Sequence, residues 1–259
     1  MDNTLRERRN FLMAGVAGLG SALIIAACGK GAPEIAANAN SASAPDKGTK
    51  NDKHDPDSKE VEAVEDLMRE HGILRRALLV YGEAALRIRK NAADVSPEAL
   101  KKTATLFRSF GEDYHEKRLE EAFLFPRIKE KAAGTEAANY VDILIEQHNR
   151  GRELTDYILS MTNGPKIGAE AAKFADVLAG FVRMYEHHAA REDTIIFPAW
   201  KDSVTPDEYD DLSDKFEDIE YEQFGEDGFE NAAKQMSEIE ASLNLSDIGQ
   251  FTAPQPGTG

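Results

Sequence analysis

Apolar residues recur at three- and four-residue steps through most of the chain, a period that predicts helices rather than sheet. Val61, Val64, Leu67, Met68, Leu74, Leu78 and Leu79 mark a first helix, with Ser58 placed to cap it. Ser96-Pro97-Glu98 opens a second with a cap, a first-turn proline and an acid favoured by the helix dipole; its stripe runs Leu100, Leu106, Phe107, Phe110. Ala133-Gly134-Thr135 makes the next turn. A third helix follows from Glu136 to about Met161, with Val141, Leu144, Ile145, Leu154 and Ile158, and Asn163-Gly164-Pro165 ends it. The fourth spans about Ala169 to Trp200 and carries Phe174, Val177, Leu178, Phe181 and Met184.

Beyond Lys201 the polar positions turn acidic. Thr205-Pro206-Asp207-Glu208 is a capping box that starts a helix to about Phe224. Gly225 and Gly228 break it before a last piece from Phe229 to Leu243. Tyr209, Leu212, Phe216 and Ile219 keep helical spacing, so residues 202–245 read as an acidic helical appendage laid across a bundle at 58–201, and 246–259 as a disordered tail.

The N-terminus reads as a targeting segment. Arg8 and Arg9 precede Asn10, Phe11, Leu12 and the apolar run Met13 to Ala27, a twin-arginine pattern, and Ile25-Ala26-Ala27-Cys28 resembles a lipobox. Residues 1–28 are then a signal, with the protein tethered to a membrane outside the cytoplasm, in the periplasm, through a lipidated Cys28. Plain cleavage near Ala27 is the alternative. Residues 29–57 lack apolar periodicity and read as a disordered tether, with His54 in solvent.

Composition narrows the chemistry. A formal charge of −16 argues against a nucleic-acid partner, whose phosphates it would repel. A single cysteine excludes thiolate metal sites. The candidate chemistry lies in two stretches that read as copies: YHEKRLEEAFLFP (114–126) and HHAAREDTIIFP (187–198), each with histidine, then glutamate six residues before proline. His71 and His148 sit on the first and third helices. The order His71, His115 with Glu120, His148, His188 with Glu192 is a duplicated half-site that converges inside a four-helix bundle, with donors suited to iron, manganese or zinc.

Register within the copies leaves choices. His188 and Glu192 are four apart and share a helix face, whereas His187 has the five-residue spacing of His115 to Glu120; helix geometry favours His188. On a regular helix Glu120 would lie about 140° from His115, so a π-bulge is expected near Lys117 to Leu119. Glu116 or Glu121 is the alternative ligand. Tyr185 reads as a packed core tyrosine, with a hydrogen bond to the site as the alternative.

These motifs, with the lone histidine before each, resemble the haemerythrin or HHE cation-binding family over roughly residues 60–200. The resemblance implies an all-α, antiparallel up-and-down four-helix bundle around two non-haem iron ions. Family members bind oxygen, sense oxygen or iron, or handle peroxide and nitric oxide, so a small molecule is the expected partner. Oxygen carriers of the family add a histidine four residues after the one on the third helix; here that residue is Arg152, which puts reversible carriage in doubt.

Overall fold

The computed structural model describes residues 61–257, which are helical throughout with no strand among them. The expected signal, Cys28, the tether with His54 and the Ser58 cap lie outside these residues. No described helix is long and apolar enough to cross a membrane.

Four long helical segments carry the core. The first, α1, is Ala63–Lys90. The second is continuous from α2 (Pro97–Leu106) through a π-helical stretch (Phe107–Leu124) into α3 (Phe125–Lys131). The third is α4 (Glu136–Met161). The fourth runs from α5 (Ala171–Arg191) through a short π stretch (Glu192–Ile196) into α6 (Phe197–Lys201). α1 packs on α5, α5 on α4, and α4 on the second segment, which in turn meets α1. Phe107, Phe110, Phe174, Phe181, Tyr81 and Leu100 are buried between them.

Local signals hold at the segment ends. Ser96 accepts from the Ala99 N–H and Thr135 from the Ala138 N–H, and Gly134 takes the positive φ of 83° that closes the turn before Thr135. Thr205 and Glu208 form both bonds of the capping box. Met68 and Leu79, expected on the apolar stripe, are instead 44% and 68% exposed. At about 100° per residue both fall on the side of the helix opposite the broad face that buries Leu67, Leu74, Ala77, Leu78 and Tyr81.

The appendage is α7 (Pro206–Phe224) and α8 (Gly228–Ser242). α7 packs on α1 and the long π stretch, and α8 on α1 and α2. Phe216 stacks on Trp200 and meets Phe123, while Phe224 lies edge-on to Tyr114. Arg76 donates to Glu240 at 2.8 and 2.6 Å, and Arg87 to the Leu243 carbonyl at 2.8 Å. The residue before α1, Glu62, makes no side-chain cap. Instead the first two N–H groups, of Ala63 and Val64, donate to Ser213 Oγ and Tyr209 Oη of α7. The appendage thus caps the first core helix from about 150 residues away in sequence. The tail expected from 246 onward begins with order: Asp247 caps a 3₁₀ turn at Ile248–Phe251, and Leu243 and Leu245 just before it are buried.

Phe216→Ala should lower the unfolding free energy by about 3–5 kcal/mol, because the ring is buried between Trp200 and Phe123. Leu79→Lys should change it by less than about 0.5 kcal/mol. Denaturant titrations followed by the fluorescence of Trp200, the single tryptophan, check both.

Candidate metal centre

Both copies of the motif rejoin the α-helical ladder at the same place, the Phe before the proline. The Phe125 N–H donates to the Glu120 carbonyl and the Phe197 N–H to the Glu192 carbonyl, each five residues back. Pro126 and Pro198 follow directly, and a proline ring presses on the carbonyl four residues before it and brings no N–H. Widening the preceding turn relieves that pressure. The π geometry expected near Lys117 to Leu119 is present but far longer, Phe107–Leu124, and the second copy carries one as well. Within the wider turn the five-residue spacing of His115 and Glu120 becomes a shared face, with Nε2 3.3 Å from Oε1.

The structure brings the six predicted residues into one buried cluster. Glu120, His148, His188 and Glu192 form one group and His71, His115 and Glu120 another, with Glu120 common to both. Glu120 Oε1 faces His115 Nε2, and its Oε2 lies 3.4 Å from His148 Nε2. Glu192 Oε2 lies 3.0 Å from His188 Nε2 and 3.5 Å from His71 Nε2, while its Oε1 is 3.9 Å from His148 Nε2. Both carboxylates therefore straddle two pairs of imidazoles. His187, the alternative to His188, is exposed beside Arg191. Glu116 and Glu121 sit to one side: Glu121 reaches His148 Nδ1 at 2.9 Å, and Glu116 accepts from the Tyr185 hydroxyl at 2.8 Å.

Every imidazole is held from outside through Nδ1. His71 Nδ1 donates to Asp193 at 2.6 Å, His115 to Glu70 at 2.7 Å, His148 to Glu121 and His188 to the Gln147 side-chain oxygen at 2.9 Å. All four partners are acceptors, so Nδ1 carries the proton and the Nε2 lone pair points inward. His148 and His188 then aim two lone pairs at each other across 3.1 Å. Such a contact repels unless a proton or a cation stands between them. His115 Nε2 and all four oxygens of Glu120 and Glu192 are buried and accept or donate no hydrogen bond. Atoms bound about 2.1 Å from one ion in adjacent octahedral positions stand about 3 Å apart, close to the 3.0–3.5 Å that separates each Nε2 from its nearest carboxylate oxygen. The donor set fits a first-row transition-metal cation.

The charge balance agrees. Burial works against charging His115, but Glu120 and Glu70 hold its pKa well above the usual imidazole range, and Glu116, Glu120 and Glu121 do the same for His148. Proton and cation compete for these nitrogens, so metal uptake releases protons. Glu112, at the far end of the acid row, is pushed by burial to about 7 against the hydrogen bond from Thr155.

The outer acceptors Glu70, Gln147 and Asp193 were missed by sequence reasoning, although a signal existed. Glu70-His71 and Gln147-His148 occupy matching places, as do Glu120-Glu121 and Glu192-Asp193. In each copy the residue before the lone histidine supports a motif histidine, and the acid after the motif glutamate supports a lone histidine. Arg75 and Arg152, each four residues after a lone histidine, pair with Asp193 and Glu121. Tyr185 is both packed and hydrogen-bonded. Its ring meets Phe107 and Phe181, and its hydroxyl lies over Gly151, where a Cβ would overlap it. A cavity of about 10 Å³ remains beside the cluster, lined by Leu74, Leu78, Ala189, Tyr185, Glu116 and Arg75 as well as every candidate ligand but His148. It has room for about one water-sized group.

Helical segments that converge buried imidazoles and straddling carboxylates define a cation-binding helical protein. The profile of the Hemerythrin HHE cation binding domain matches residues 62–200, more than half of the chain, and the chain belongs to that family. One Mycobacterium bovis protein and two from Mycobacterium tuberculosis strains are each 39% identical to it over 221 residues, 84% of this chain and 85% of theirs; each is named an uncharacterized protein. No solved structure matches the chain at a significant level.

Gly151→Ala should drive the Tyr185 phenol off Glu116 and destabilise the fold by about 1–3 kcal/mol. Adding Tyr185→Ala should make the Gly151 change nearly neutral. Thermal denaturation of the single and double variants measures the coupling.

Proposed function

We propose that this chain is an exported di-iron protein that binds or senses oxygen or iron. Its four long segments run antiparallel, up and down, around two iron ions held by His71, His115, Glu120, His148, His188 and Glu192. The observation that carries the reading is the set of four unpartnered carboxylate oxygens of Glu120 and Glu192, buried among four inward-facing Nε2 atoms. A di-iron pair, when bound, supplies electron exchange and an open coordination position for a small ligand. The chain's own residues supply the rest. Glu120 and Glu192 would hold the pair and balance its charge, Leu74, Leu78 and Ala189 keep bulk water out of the small cavity, and the Nδ1 acceptors fix each ring. Arg8-Arg9 and the single cysteine at Cys28 support twin-arginine export and a lipid tether in the periplasm.

A second reading, a defence enzyme acting on peroxide or nitric oxide, is favoured by one feature. Where oxygen carriers place a fifth histidine this chain has Arg152, which binds Glu121 at 2.6 Å and Glu116 at 3.3 Å, and the cavity wall there is the polar Glu116–Tyr185 pair. Such a wall suits conversion of a bound ligand better than its unaltered release.

Protein purified without chelator should hold about two irons per chain and show an optical spectrum in air that changes on reduction. His148→Ala should lose most of the metal, and His187→Ala should keep it. A chain free of iron, manganese and zinc contradicts the proposal, and manganese or zinc in place of iron contradicts its choice of metal. Turnover of peroxide or nitric oxide above the His148→Ala control selects the second reading.

A further inference from the structure

The pseudo-symmetry of the centre is broken in the acceptors behind the motif histidines. Half one is His71 and His115; half two is His148 and His188. The lone histidines match: His71 is backed by Asp193, itself paired with Arg75, and His148 by Glu121, paired with Arg152. The motif histidines do not match. His115 Nδ1 donates to the Glu70 carboxylate, while His188 Nδ1 donates to the neutral amide oxygen of Gln147.

Glu70 is 1% exposed and accepts from both the Tyr114 hydroxyl and His115 Nδ1, at 2.8 and 2.7 Å. Two donors converging on it are best met by the acceptor-only carboxylate. A carboxylate bonded to one edge of an imidazole makes the opposite nitrogen a stronger donor than an amide does, and it holds the ring in place. One further acid, Glu116, stands near half two, but it bonds no imidazole: its oxygens go to Tyr185 and Arg152, and it is 4.0 Å from His148 Nδ1. On the opposite side Asp66 stands beside Glu70 and is itself paired with Arg69 at 3.4 Å.

We infer that the two halves bind a divalent first-row cation unequally, His71 and His115 filling before His148 and His188, with Glu70 opposite Gln147 as the pair of positioning residues that sets the order. This rests on the metal-binding reading above, and its test separates the two.

The full chain, stripped of metal and loaded with one equivalent of Co(II), is crystallised, and anomalous scattering locates the ion. Density at the His71 and His115 half is expected, with little at the other. Optical titration with Co(II) should show two steps. Glu70→Gln should weaken the first by about 10–100-fold and merge it with the second. Gln147→Glu should merge them from the other direction, by strengthening the second, a gain that a merely structural role for these residues does not produce. Equal density in both halves of the unsubstituted protein, or density first at His148 and His188, overturns the inference and leaves metal binding intact. Variants that leave the steps apart overturn it too. Binding at neither half overturns both readings.

Discussion

Two carboxylates buried in the middle of a helical core, without a hydrogen bond and faced by imidazole nitrogens, are the constraint on which the rest of this structure depends. Glu120 and Glu192 are 0% exposed, and none of their four oxygens accepts a hydrogen bond from the protein. Burying a charge in that manner costs several kcal/mol per ion unless opposite charge meets it there. The surrounding architecture is arranged as though to present those oxygens, together with four imidazole lone pairs, to a positive ion. The π turns aim the glutamates inward, the proline that ends each copy favours the widened turn before it, and an outer layer of acceptors orients each ring.

That outer layer explains why a core so rich in acids is tenable. Asp193, Glu121 and Glu116 share Arg75 and Arg152 at its edge, while Glu70 is held by Tyr114 and His115. Tyr114 in turn packs against Phe224 of the appendage, so the acidic C-terminal helices touch the centre's support as well as capping α1. The appendage is thereby part of the core's construction. Its Phe216, Met236 and Ile239 are buried like any residue of the four long segments.

Much of this was legible in the sequence. The apolar period placed the long helices, and Ser96, Thr135 and Thr205 marked starts that the structure keeps. The paired Phe-Pro register singled out Glu120 and Glu192, helix spacing chose His188, and the order of the remaining histidines added His71, His115 and His148, and these six now lie together. What escaped had physical reasons. Met68 and Leu79 are apolar yet face outward, because composition does not reveal which of two neighbouring leucine-like residues a helix turns inward. The second π stretch was missed because His188 and Glu192 align on an ordinary helix, although Pro198 carried the same signal as Pro126. Glu70, Gln147 and Asp193 look like surface polar residues until a fold places them behind an imidazole. Only the matched doublets hinted otherwise, and the cap on α1 from Tyr209 and Ser213 has no local signature at all.

X-ray absorption at the iron edge of the protein as purified tests the central claim most directly. The account predicts a first shell of mixed nitrogen and oxygen, the outer scattering of imidazole rings, and a second metal within about 4 Å. A shell of oxygen alone, with no imidazole signature and no neighbouring metal, would contradict it.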